Sequence, residues 1–313
     1  MLTAETAETR FVTLPDTNVR MAYRHLQPAN VDLDNLPLVM HIHYRANMDF
    51  WDPAVVNPIA INRPVILFDQ LGVGRSGGEV ATTYQGWADN VIALCDALGL
   101  LEIDLVGFSM GGYTVQMVAL TRPQLVHKLI IFGSGPSEPF ESHGNEGIVW
   151  PRDVPPAGPI DVLTTAEARS LEEVENAIAV SFFPHTNEGR KACTEYFQRL
   201  RARDDVDGEG PILTFLDAER TKRQWTAAAR WQRSDPQNSF HRLGELKMPV
   251  LVLNGDDDLL IPTSRSWELL RRIENCQLII YPKAGHGFCW QYADRVARDV
   301  NTFLDETLVQ ARL

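Results

Sequence analysis

The stretch Ile103-Asp104-Leu105-Val106-Gly107-Phe108-Ser109-Met110-Gly111-Gly112 limits the possible folds more than any other. An apolar run ends in a Gly-x-Ser-x-Gly turn, and a helix-compatible segment, Tyr113 to Leu120, follows at once. Strand, sharp turn and helix in that order expose a serine hydroxyl at the end of a sheet. A serine on so tight a turn has a strained backbone. Side chains two positions to either side would collide, so Gly107 and Gly111 leave the space. The helix that follows aims its amide dipoles at the same point, where negative charge would be favoured. Ser109 is therefore the candidate nucleophile.

The rest of the chain fits a sheet around this turn. Phe11 to Leu14 and Val19 to His25 read as a hairpin across the turn formers Pro15 to Asn18. Leu36 to His43, Val65 to Phe68, Ile103 to Phe108, Lys128 to Phe132, Pro249 to Leu253 and Leu278 to Tyr281 are apolar runs of strand length. Continuous apolar character suits strands covered on both faces. Helical segments, Tyr84 to Leu98 among them, alternate with the strands, which predicts a mainly parallel α/β sheet. Thr263 to Ile273 and Trp290 to Leu308 complete the helices of this part. Between Gly135 and Leu243 the alternation stops. Thr165 to Val180, Glu188 to Arg203 and Ile212 to Trp231 read as helices instead. Residues 135–243 are expected to form a helical cap inserted into a core made of residues 1–134 and 244–313.

A serine needs a base, and the base needs an orienting acid. Catalytic loops of open parallel sheets lie beyond the carboxyl ends of the strands. Two such loops carry suitable groups: Gly255-Asp256-Asp257-Asp258, and Ala284-Gly285-His286-Gly287. The chain order Ser109, acid, His286 is the order expected of this strand-turn-helix serine motif.

With these residues in view, the chain resembles the α/β-hydrolases from about Val19 to its end. The resemblance rests on Gly107-Phe108-Ser109-Met110-Gly111-Gly112, Gly255-x-x-Asp258-x-x-x-Pro262 and Gly285-His286. It implies that Asp258 is the acid, in preference to Asp256 and Asp257, with Glu138 the runner-up after the preceding strand. It also implies an oxyanion hole of two backbone N–H groups. One is expected from Met110. The other is expected from the loop after Leu36 to His43, where family members usually carry His-Gly-x. Here the loop reads His43-Tyr44-Arg45, which makes Arg45 N–H the expected donor and Tyr44 N–H the alternative. This loop, with Asn47 to Pro53, resembles cofactor-free haloperoxidase-like hydrolases and esterases.

Two motifs point elsewhere when read alone. Gly72-Val73-Gly74-Arg75-Ser76-Gly77 matches a dinucleotide fingerprint, but no helix opens directly after it. His41 and His43 could face one side as a metal pair, yet no third ligand cluster accompanies them. Neither a cofactor nor a metal is expected. The net charge of −12 argues against nucleic acid and anionic membrane as partners. The four cysteines show no zinc spacing and read as free thiols. The N-terminus lacks the basic and apolar regions of a signal peptide, and no apolar run reaches spanning length. A cytoplasmic enzyme with a small-molecule substrate is expected, and a homo-oligomer is left open.

The expected cap carries Phe182, Phe183, Phe197, Phe215, Trp225 and Trp231. Most should pack its interior, and a few should face the cleft. Tyr44, Phe183, Trp231 and Phe288 are the candidate substrate contacts. Such walls favour an apolar or aromatic ester, lactone or related carbonyl substrate. The alternatives are C–C bond hydrolysis or perhydrolysis on the same triad, and a ligand-binding receptor on this fold.

Overall fold

In a computed structural model the described residues are 2–15, 17–28, 35–137, 163, 168, 170–203, 206, 208 and 210–306. Eight strands make one sheet: β1 (Arg10–Thr13), β2 (Arg20–Leu26), β3 (Leu38–His41), β4 (Val65–Phe68), β5 (Ile103–Phe108), β6 (Val126–Phe132), β7 (Val250–Gly255) and β8 (Cys276–Tyr281). Their order is β1-β2-β4-β3-β5-β6-β7-β8. The β1/β2 and β2/β4 pairs are antiparallel and the rest parallel. Every residue of β3, β4, β5 and β7 is buried, which is why these strands read as unbroken apolar runs.

Three helices connect the central strands: α1 (Pro53–Ala60), α2 (Tyr84–Ala97) and α3 (Met110–Thr121). Helix α1 is absent from the expected elements because Pro53 and Pro58 disguise it. Pro53 is tolerated in the first turn, and the Asp52 side chain caps the helix by accepting from Ala54 N. From β3 the chain moves outward to β4, then returns to the other side of β3 as β5. The reversal puts a crevice at the carboxyl ends of β3 and β5, where open sheets bind ligands.

Between β6 and β7 the described residues hold three α-helices, α4 (Leu171–Phe182), α5 (Asn187–Arg201) and α6 (Ala218–Trp231). Side-chain caps from Ser170, Thr186 and Asp217 fix their starts. Hence α6 begins at Ala218 rather than near Ile212. After β7 come α7 (Thr263–Arg272), α8 (Phe288–Gln291) and α9 (Ala293–Asp305). The single C-terminal helix expected from Trp290 is two, broken at Tyr292. Among the described residues no helix is long and apolar enough to cross a membrane.

Candidate active site

Ser109 sits between β5 and α3 at φ 58° and ψ −116°. A non-glycine residue holds that conformation only where its surroundings dictate it. They do so here: Ser109 N–H donates to Phe132 O at 2.8 Å. A methyl group built on Gly107 would overlap the Gly111 carbonyl, and one on Gly111 would overlap that of His41. Both glycines are thus required by contact. The Met110 N–H at the head of α3 meets no acceptor among the described residues.

The loops after β7 and β8 meet beside this turn. Gly255 packs directly on the Ala284 and Gly285 carbonyls, where a side chain would clash. Asp258 is fully buried. Its Oδ1 accepts from Leu260 N and Ile261 N, each at 2.9 Å. Its Oδ2 lies 2.7 Å from His286 Nδ1. An ionised carboxylate accepts only, so Nδ1 carries the proton, and in the neutral ring the lone pair is left on Nε2. His286 Nε2 is buried without a hydrogen-bond partner among the described residues. The ring stacks on Phe108, the residue before Ser109, with centroids 5.0 Å apart. Phe182 of α4 covers it edge-on at 4.8 Å. Of the neighbouring acids, Asp256 is exposed and accepts from Ala284 N, while Asp257 is only partly buried. Glu138 lies outside the described residues.

The loop after β3 departs from the expectation. Arg45 N–H does not face the crevice: it donates to Gln224 Oε1 of α6 at 2.8 Å. Tyr44 N–H has no acceptor among the described residues, and Tyr44 lines the crevice. The choice turns on a partner 179 residues away, which local sequence does not reveal. His43 Nδ1 donates to Tyr44 O at 3.0 Å. Its ring is packed among Phe50, Phe108, Phe182 and Trp290. Burial, and to a lesser degree the nearby His286, lower its pKa to about 3, so it is neutral. His41 is held to about 4 by burial, and Gln70 Nε2 lies 3.2 Å from its Nε2.

A cavity of about 420 Å³ opens above Ser109. Tyr44, Ser109 and Met110 form its floor. Tyr113, Leu163, Trp225, Ala228 and Ala229 form one wall, and Leu260, Ile261 and Pro262 another. Three of the four expected contacts need correction, since only Tyr44 reaches it. Trp231 packs behind the wall on Tyr84 and Tyr113, at 5.1 and 5.2 Å. Phe183 lies against Tyr196 and Trp290. Phe288 stacks on Tyr281 at 5.3 Å, under the sheet's carboxyl edge. Each is at most 2% exposed and is spent on core packing. The missed signal lies in α6: Trp225, Ala228 and Ala229 stand at i, i+3 and i+4, hence on one face.

The glycine loop after β4 has another task. Asp69 is wholly buried there and accepts from Met48 N and Arg75 N at 2.8 Å. A side chain on Gly74, at φ 53°, would collide with the Asp69 carboxylate. The loop is wound around an aspartate whose pKa burial raises to about 6.

This sheet order, the elbow serine and the loop-borne Asp–His pair define an α/β-hydrolase. The chain belongs to the alpha/beta hydrolase fold family, whose profile matches residues 42–293. It is similar to an alpha/beta hydrolase fold protein from Chitinophaga pinensis, with TM-score 0.79 and 26% identity over 97% of this chain and 100% of that one. It is 29% identical to a 2-hydroxy-6-oxononadienedioate/2-hydroxy-6-oxononatrienedioate hydrolase of Burkholderia vietnamiensis, covering 77% of this chain and 76% of that protein. A putative carbamate hydrolase, RutD, of Agrobacterium fabrum is 27% identical over 76% of this chain and 80% of its own length. The protein is thus a hydrolase of the α/β fold.

Proposed function

We propose that the protein is a serine hydrolase acting on a neutral, apolar ester, lactone or related carbonyl compound through an acyl-enzyme. The Asp258–His286 hydrogen bond of 2.7 Å, with Nε2 left without a partner among the described residues and the ring stacked on the residue before the elbow serine, carries this reading. Ser109 Oγ attacks the carbonyl carbon while His286 Nε2 takes its proton. Asp258 holds the ring and stabilises the imidazolium that forms. Charge collects on the carbonyl oxygen, which Met110 N–H and Tyr44 N–H receive. His286 then returns the proton to the leaving group, and a water activated by the same nitrogen releases the acyl group.

The cavity supports a neutral substrate. Among its described lining residues the one cation is Arg265. Its guanidinium is committed to Glu268 at 2.6 Å and to the Pro136 and Ser137 carbonyls. Among the described lining a dianionic substrate would find a countercharge for one carboxylate at most, and an unpaired carboxylate in an apolar site is costly. C–C hydrolysis on the same triad is the second reading, favoured by the similarity to the 2-hydroxy-6-oxononadienedioate/2-hydroxy-6-oxononatrienedioate hydrolase of Burkholderia vietnamiensis. Rates should be measured on p-nitrophenyl esters, aliphatic lactones and a 2-hydroxy-6-oxodienedioate. We expect kcat/KM for the best ester or lactone to exceed that for the dioate by about 10²-fold or more, the scale on which unpaired buried polar groups discriminate. The reverse order would favour C–C hydrolysis.

A further inference from the structure

Arg45 adopts φ 62°, a conformation that is costly for any residue but glycine. Most of its restraints named below come from one direction. The Tyr44–Arg45 peptide is held at both ends: its C=O accepts from His43 Nδ1 at 3.0 Å, and its N–H donates to Gln224 Oε1 at 2.8 Å. The Arg45 guanidinium donates to Leu163 O at 2.8 Å and to Leu216 O at 3.3 Å, and lies 4.6 Å from the Phe215 ring centroid. The Arg45 carbonyl accepts from Leu216 N at 3.3 Å. Apart from the local His43 bond, every partner named here belongs to the segment between β6 and β7. Gln224 is 1% exposed and does not line the cavity, so its amide does not serve as a substrate contact. Without Gln224, Arg45 N–H would lose the acceptor it has among the described residues, and the strained peptide would be held less firmly.

We propose that Gln224 is a positioning residue: it clamps the Tyr44–Arg45 peptide so that Tyr44 N–H points at the reacting carbonyl oxygen, and it makes the oxyanion hole complete only while α6 is docked. The proposal rests on the serine-hydrolase reading above. Substrate entry that lifts α6 breaks the Gln224 tie and loosens those to Phe215 and Leu216 just before the helix. The loop can then relax toward negative φ and carry Tyr44 N–H with it. Docking restores the donor after the substrate is enclosed, so charge develops in a complete site shielded from water.

The test is Gln224→Met, which keeps shape and removes the acceptor, with Gln224→Leu as a second variant should Met fold poorly. The donor is misplaced rather than deleted. The expected loss is therefore about 10- to 100-fold in kcat, below the full 10²–10³ of losing an oxyanion donor. KM should move by less than about threefold, as for an interaction made only in the transition state. Labelling of Ser109 by a fluorophosphonate should slow by a similar factor. Gln224→Glu retains a carbonyl-type acceptor and should recover part of the lost kcat, an outcome that a purely structural role does not predict. An acceptor-free variant with kcat within twofold of wild type overturns the proposal. So does an equal loss in the Met and Glu variants that follows a lowered Tm. If Ser109→Ala hydrolyses esters like wild type, the nucleophile assignment has failed, and this proposal with it. If Ser109 is essential but Gln224 is silent, only the clamp has failed.

Discussion

Replacing Asp258 by Asn probes the geometry at a single atom. The carboxylate accepts three hydrogen bonds: Leu260 N–H and Ile261 N–H on Oδ1, and His286 Nδ1–H on Oδ2. Asparagine offers one oxygen and one NH₂. If the oxygen keeps the two backbone donors, NH₂ faces His286 Nδ1. That nitrogen must then accept, its proton moves to Nε2, and no base faces the serine. The flipped amide would set NH₂ against two buried N–H groups, costing about 1–3 kcal/mol per unsatisfied group, so the first arrangement wins. The wrong tautomer lowers kcat about 10⁴-fold in a serine protease triad. At about 1.36 kcal/mol per decade, that is roughly 5.4 kcal/mol of barrier. Initial rates with p-nitrophenyl butyrate from pH 6 to 9, together with Tm, measure it. We expect a loss of about 10³–10⁴-fold at every pH. Asp256→Asn and Asp257→Asn should stay near wild type, since neither carboxylate is fully buried. Asp258→Asn activity within tenfold of wild type would refute the reasoning, and a damaging Glu138→Gln would move the acid to the runner-up.

Three further outcomes follow from the packing and the buried imidazoles. Ala228→Trp should fill the cavity wall and cut kcat/KM for a bulky ester by about 10–200-fold relative to acetate, and an unchanged ratio would show that substrate does not lie there. Trp231→Ala should cost about 3–5 kcal/mol of stability, read as Tm, and leave that ratio alone. His43 and His41 have folded-state pKa values lowered to about 3 and about 4, so each contributes stability that is fully present above the unfolded value near 6.5 and is lost as pH falls through this window. At pH 5 the loss is about 2 kcal/mol per histidine. Urea unfolding at pH 7.5 and pH 5 should show it, with a smaller drop in His43→Gln, whereas equal stability at the two pH values would contradict the neutral, buried assignment.

Ser109 was legible because its geometry is enforced within a few residues: Gly107 and Gly111 must be small where β5 turns into α3. Asp258 and His286 were legible because strand ends predict loop positions, and one glycine-flanked histidine follows the last strand. Helix α1 was hidden by its prolines, and only Asp52 as cap marks its start. The cap aromatics could not be sorted by type. Trp225 and Trp231 lie six residues apart on α6, which at 3.6 residues per turn sets them on different faces. One borders the cavity and the other is buried against Tyr84 and Tyr113. The direction of Arg45 N–H was hidden for the same reason: its acceptor is Gln224, a contact made only after the chain has folded.

The most direct test of the account is covalent labelling of the native protein with a fluorophosphonate, followed by peptide mass spectrometry. Ester hydrolysis should be followed in parallel for wild type and Ser109→Ala. The account predicts one adduct, on Ser109, with no adduct in the alanine variant and a fall in kcat on the order of 10³-fold or more, because triad members act as a unit. An adduct on another residue, or an alanine variant that hydrolyses the ester at the wild-type rate, would contradict it.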